Sequence, residues 1–200
     1  MSPATPARLV VLASGNGSNF QVILDAIAAG SLDAEVVALI TDKPGACAAV
    51  RAAAGGITPI VLAATPGEDR GGYDTRLAAS IASLHPDLVV LAGWMRLLTM
   101  NVLGHFPRRV INLHPALPGE FPGTNAIERA LVAARDHGLR RTGVTVHHVP
   151  DEGVDSGPVI ATVEVPITDD DTLTSLSARM HAAEHELIVS ALRDVISTLI

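Results

Sequence analysis

The sequence predicts an α/β fold: a Rossmann-like, doubly wound, mostly parallel seven-stranded sheet with helices on both faces. Three observations lead there. Short β-branched runs such as "RLVVLAS", "EVVALIT" and "PDLVVLAG" lack polar alternation, as strands buried on both faces do. Stretches with helical periodicity separate them, which gives βαβ units and a parallel sheet. The last two strand-like runs are joined by a loop with no helix between them, so one edge is mixed.

The elements follow in order. Residues 1–7 are rich in Pro and Ala and are expected to form a disordered tail, and residues 8–200 a single catalytic domain. The first strand is 8–14. A helix over 18–29 aligns Phe20, Ile23, Leu24 and Ile27. The second strand is 35–41, and an Ala-rich helix over 44–54 starts at a proline. A short third strand spans 58–63, a polar loop 67–72 and a helix 73–84. The fourth and fifth strands are 86–93 and 108–114, and a helix over 124–137 follows. Strands over 143–149 and 158–167 precede a final helix that runs from Asp171-Thr172 to about Leu199.

Composition narrows the function. The 200 residues are 48% hydrophobic, enough for one substantial core. The net charge is −7, with no basic stripe, which argues against a nucleic-acid partner held by phosphate contacts. Cys47 is the single cysteine, so neither an internal disulfide nor a Cys-based metal site is expected. The N-terminus lacks the pattern of a signal peptide. No apolar run approaches the ~20 residues of a membrane span. A cytoplasmic protein with small-molecule partners and no membrane is expected, and a homodimer is compatible with the sequence.

Ligands of such sheets bind beyond the carboxyl ends of the strands, and three loops there carry unusual residues. "ASGNGSNF" (13–20) puts Gly15 and Gly17 between a strand and a helix, where open backbone amides can hold a phosphate. Phe20 stands where a dinucleotide fingerprint needs a third Gly, and no Gly-Lys-Ser follows for a Walker motif. The alternative is a plain turn capped by Ser18. "AGWMRLL" (92–98) sends Trp94, Met95 and Arg96 out of the sheet, either as ordinary packing or as the wall of a pocket for a flat heterocycle.

The third is "VINLHPALPGEFPG" (110–123) with "HHVPDEGVDSGP" (147–158). Asn112 and His114 share one strand face. An amide donor beside an imidazole suits oxyanion stabilisation with proton transfer. A carboxylate near the His is expected to raise its pKa and fix its orientation. Asp155 is the first candidate and Asp151 the alternate. No Gly-x-Ser-x-Gly elbow offers a nucleophile, so the nucleophile is expected to belong to a substrate. The His and carboxylate residues of 147–155 lack a metal-site spacing, and no metal is expected.

With "SGNGSN", "PDLVVLAGWMRLL", "INLHPAL", "FPG", "GVTVHHV" and "DEGVDSGP" in hand, the chain resembles the phosphoribosylglycinamide formyltransferases, folate-dependent enzymes of purine synthesis. The likeness runs from about Arg8 to the last helix. The resemblance implies the formyltransferase fold, with 10-formyltetrahydrofolate as cosubstrate. Gly17, Ser18 and Asn19 would hold the phosphate of the glycinamide substrate, and His181 and Glu184 would contact that substrate again. Met95, Arg96, Leu97 and Leu98, with Asn112 and the loop of Asp151, Glu152, Gly153 and Val154, would bind the folate. Arg70 would lie near the folate tail or the substrate phosphate. Asn112, His114 and Asp155 would be the catalytic trio.

The implied mechanism is direct attack of the substrate amine on the formyl carbon. Asn112 and protonated His114 would stabilise the oxyanion, and Asp155 would raise the His pKa. Two departures from the family pattern stand out. The loop between His147 and Asp155 is one residue longer, at Pro150, and His181 replaces a Lys or Gln, which implies pH dependence. The rival readings are a formyltetrahydrofolate hydrolase, with water as the nucleophile, and a non-catalytic folate- or nucleotide-binding module.

Overall fold

The structure, a computed structural model, describes residues 5–199. Thirteen elements run β1 (Ala7–Leu12), α1 (Ser18–Ala28), β2 (Ala34–Thr41), α2 (Cys47–Ala54), β3 (Ile60–Val61), α3 (Arg70–Ala82), β4 (Leu88–Leu91), α4 (Met100–Leu103), β5 (Val110–His114), α5 (Ala126–His137), β6 (Arg141–His148), β7 (Val159–Pro166) and α6 (Leu173–Ser197). The seven-stranded sheet has the order β3-β2-β1-β4-β5-β6-β7. Strands β1 to β5 pair in parallel, while β6 and β7 pair antiparallel, the mixed edge expected from their helix-free connection. Residues 1–4 of the expected tail lie outside the described residues. Ala7, placed in that tail by the sequence, is the buried first residue of β1.

Alternation along the central strands builds two cores. Leu9 and Val11 pack with Phe20, Ile23, Ala52, Leu131, Leu176 and Leu192, beneath α1, α2, α5 and α6. Val10 and Leu12 pack with Tyr73, Leu77, Ile81 and Val102, beneath α3 and α4. Both faces are covered, which is why these strands carry no polar alternation. Strand order reverses between β1 and β4, whose neighbours run outward in opposite directions. That switch point opens a crevice at the carboxyl ends of both strands.

Several boundaries moved for local reasons. Helix α3 starts at Arg70 rather than at residue 73, because Asp69 caps it by accepting from the Gly72 amide at 2.7 Å. Helix α4 has no periodicity to read, since it is a single four-residue turn capped by Thr99. The third strand shrinks to Ile60–Val61 because only those residues pair with the end of β2. Helix α6 is entered through a capping box, with Thr172 and Ser175 bonding each other's amides at 3.1 and 3.0 Å.

Close packing at β6 yields a test. A Cβ on Gly143 would run into the Val163 carbonyl oxygen of β7 and the Leu117 side chain. Gly143→Ala is expected to lower stability by about 1–3 kcal/mol through overpacking. Urea unfolding checks this, and an unchanged midpoint would show that β7 and Leu117 yield freely.

Candidate active site

A cleft of about 600 Å³ lies over the switch point, lined from the carboxyl ends of β1, β2, β4 and β5 and by the loop after β6. Its volume suits a small-molecule site. One end is formed by residues 14–19. Helix α1 begins at Ser18 behind a left-handed Gly17 (φ 74°), and no side chain caps it. Ser18 is thus the first helical residue and not the cap, and the first-turn amides keep their donors for an anion. Gly17 is required twice over. Its φ disfavours any side chain, and a Cβ there would meet the Ala48 Cβ at 2.7 Å and Cα at 2.8 Å.

Across from this turn, α6 supplies His181 and Glu184. Asn19 Nδ2 donates to Glu184 Oε2 at 3.0 Å, and His181 Nδ1 lies 3.1 Å from the same oxygen. The bond to Glu184 raises the His181 pKa, while burial works the other way. Glu184 is buried and the His181 side chain is about half exposed (53%), so the imidazole can reach a ligand while sharing its charge with Glu184. Lys43, beyond the end of β2, also lines the cleft.

The middle of the cleft is built on β5. In the parallel register Asn112 sits beside Leu91 of β4, and in the antiparallel register it sits opposite His147 of β6. Asp155 reaches the same point from the loop after β6, with its backbone in the left-handed region (φ 51°). Its Oδ2 accepts from the Gly123 amide at 2.7 Å and lies 3.3 Å from His114 Nδ1. Its Oδ1 accepts from Asn112 Nδ2 at 3.0 Å and lies 3.6 Å from His147 Nε2. Of the trio read from the sequence, Asn112 and His114 therefore both reach Asp155, and Asp151 is not the partner of His114. Asp151 instead accepts from the Gly153 amide at 2.8 Å and shapes its own loop.

His147 faces three groups. Its Nδ1 lies 2.9 Å from the His148 carbonyl oxygen, which can only accept, so Nδ1 carries a proton. Its Nε2 lies 3.2 Å from Asn112 Nδ2 and 3.6 Å from Asp155 Oδ1.

The expected rise in the His114 pKa does not occur. Burial pushes the imidazole below its ordinary value and outweighs the opposing pull of Asp155. The ring is 6% exposed, and its Nε2 is buried with no hydrogen-bond partner. For Asp155, burial works against ionisation, yet His147, the Gly123 amide and His114 together hold the carboxyl below the usual range.

The third part is apolar. Met95, Leu97 and Val154 stay partly exposed at the cleft, while Trp94 and Leu98 are buried beneath it. Arg96 lines the cleft, but its guanidinium stacks 4.1 Å from the centre of the Tyr73 ring. Asp151, Glu152, Gly153 and Val154 all border the cleft, and Glu152 ties their loop to α4 by accepting from the Met100 amide at 3.0 Å. Arg70 is the exposed first residue of α3, behind the Asp69 cap, and does not line the cleft.

Sequence reasoning missed Lys43, His147 and the Gly123 amide. Lys43 was findable, because the loop after the second strand also lies at the carboxyl edge. His147 required the β5–β6 register, and the Gly123 amide carries no side-chain signal.

This fold is that of a formyl transferase. A sequence model of the family described as formyl transferase matches residues 7–192, and the chain belongs to that family. The phosphoribosylglycinamide formyltransferase of Schizosaccharomyces pombe is 41% identical, covering 96% of this chain and 98% of its own length. That of Mycobacterium tuberculosis is 43% identical over 94% of this chain and 85% of its own. Among solved structures, glycinamide ribonucleotide transformylase 1 of Symbiobacterium toebii superposes with a TM-score of 0.91 at 35% identity, covering 98% of this chain and 90% of that one.

The buried His114 sets a pH dependence of stability. Its folded pKa lies below the unfolded value of about 6.5, so its contribution is complete above about 6.5 and is lost as pH falls toward the folded pKa. His181 acts in the opposite sense, favouring the folded state below about 6.5 and losing that as pH rises through its raised pKa. The wild-type urea midpoint is therefore expected to drop more than that of His114→Gln between about pH 8 and about pH 5.5. Equal drops would show that His114 burial does not set this slope.

Proposed function

We propose that the protein transfers the formyl group of 10-formyltetrahydrofolate to the amine of 5-phosphoribosylglycinamide, a step of purine synthesis. The observation that carries the reading is the convergence of Asn112 and His114 on Asp155 between an anion-binding turn and an apolar wall. The turn at Gly15–Asn19, with Lys43 and His181, suits a phosphate. Glu184 suits ribose hydroxyls or the amide of the same substrate. Met95, Leu97, Leu98 and Val154 suit a pterin. The nucleophile is the substrate's amine.

The chemistry follows from the protonation states. The amine attacks the formyl carbon, and its proton becomes acidic as the new C–N bond forms. Neutral His114 is suited to take that proton. The imidazolium so formed lies between Asp155 and the developing oxyanion, which both favour it. Asn112 adds a donor by exchanging its contact with His147 for the formyl oxygen while keeping its charge-assisted bond to Asp155. The proton then passes to the departing folate nitrogen as the old C–N bond breaks. Charge on His114 thus arises during the reaction and is not required beforehand.

Release of tetrahydrofolate, followed with and without the glycinamide substrate, tests the reading. Release is expected only with the amine; release without it would turn the assignment to a hydrolase. His114→Ala is expected to cut turnover by roughly 10²–10⁴-fold while the fold survives. Unchanged turnover would remove His114 from the chemistry.

His181 adds a separate expectation. Because its cation is stabilised by Glu184, KM for the phosphorylated substrate should rise as pH passes above the raised His181 pKa. His181→Gln should flatten that rise. The same pH dependence in both proteins would exclude a contact between His181 and the phosphate.

A further inference from the structure

One peptide unit, Pro122–Gly123, stands between two opposite charges. Its N–H donates to Asp155 Oδ2 at 2.7 Å, and its C=O accepts from Arg129 Nη1, also at 2.7 Å. The same Nη1 lies 3.4 Å from the Thr124 carbonyl oxygen, and the guanidinium covers the Phe121 ring at 5.7 Å from its centre. This segment has no strand or helix to hold it. Phe121, Gly123 and Asn125 all have positive φ, at 46°, 82° and 57°. The earlier part of the β5 exit is anchored elsewhere, where Thr145 Oγ1 donates to the Ala116 carbonyl at 2.7 Å.

We infer that Arg129 is a positioning residue for the reaction centre: from α5 it holds the Pro122–Gly123 peptide so that the Gly123 N–H stays on Asp155. A hydrogen bond accepted by a peptide C=O polarises the amide and strengthens donation from its N–H. Here the donor is a cation and the final acceptor an anion, so both bonds are charge-assisted and short. Arg129 is exposed and acts on Asp155 through the peptide. An arginine that merely solvated the helix surface would not place one nitrogen on the carbonyls either side of Gly123. Asp155 is faced by His114 from β5 and by His147 from β6, and Asn112 donates to its other oxygen. The peptide therefore steadies the carboxylate oxygen that faces His114.

The role in catalysis rests on the proposed function, but the contact itself does not, and the experiment separates them. Arg129→Met keeps an apolar stem over Phe121 and removes the donor; Arg129→Lys keeps a cationic donor. On isotope-labelled full-length protein, the Gly123 amide proton and the Asp155 carboxyl carbon are followed through a pH titration, together with the His114 and His147 rings. In Arg129→Met the Gly123 proton is expected to move upfield and Asp155 to titrate at higher pH. Turnover is expected to fall roughly three- to tenfold, by less than or about one pKa unit's worth, with the substrate KM values little changed. Arg129→Lys is expected to recover part of each change. Folded Arg129→Met with both resonances at their wild-type positions would overturn the contact. Moved resonances with unchanged turnover would overturn the positioning role. If neither protein transfers formyl groups, the resonances still decide the contact, and the proposed function fails by itself.

Discussion

The ionised carboxylate of Asp155 is the interaction on which the site depends. Its side chain is only 12% exposed, so ionisation is costly unless partners replace water. The partners come from three directions: Asn112 and His114 from β5, His147 from β6, and the Gly123 amide from the β5 exit. The carboxylate thus ties two strands and a loop at one point. The left-handed backbone at Asp155 costs on the order of 1 kcal/mol for a residue with a Cβ. That strain is sustained by the set of bonds the side chain makes on arrival.

The cleft holds two histidines in opposite electrostatic settings. His114 is buried beside a carboxylate that three other groups already share, and desolvation holds its pKa below the ordinary value. His181 is half exposed beside a buried Glu184 whose other visible partner is the uncharged Asn19 amide, and the carboxylate favours its cation. Environment therefore separates their titrations. The ring with the lowered pKa lies in the middle of the cleft; the ring with the raised pKa lies beside the turn that has open amides for an anion.

Much of this was legible in the sequence because it is written in short-range patterns. Unalternating β-branched runs marked the buried strands, and period-two spacing put Asn112 and His114 on one face. A Gly-rich turn before a helix marked the anion site. The residues that misled did so for physical reasons. The pKa of His114 was judged from its neighbour's charge, but burial outweighs that charge, and burial depends on how far the β5 exit covers the ring. His147 was read as part of a strand, since only the β5–β6 register puts it opposite Asn112.

By itself the sequence determined the α/β class, the mixed edge and the residue types of the site, because alternation, helical period and turn chemistry are local properties of the chain. Tertiary structure decided which carboxylate meets His114, across the 43 residues that separate Asn112 from Asp155. It also decided that His147 faces Asn112 and Asp155, and that a peptide bond with no side-chain signature joins Arg129 to Asp155. Those facts depend on distances between segments remote in sequence and on the water each excludes from the other. Neither quantity exists until the sheet has closed its register and the loops have packed against it.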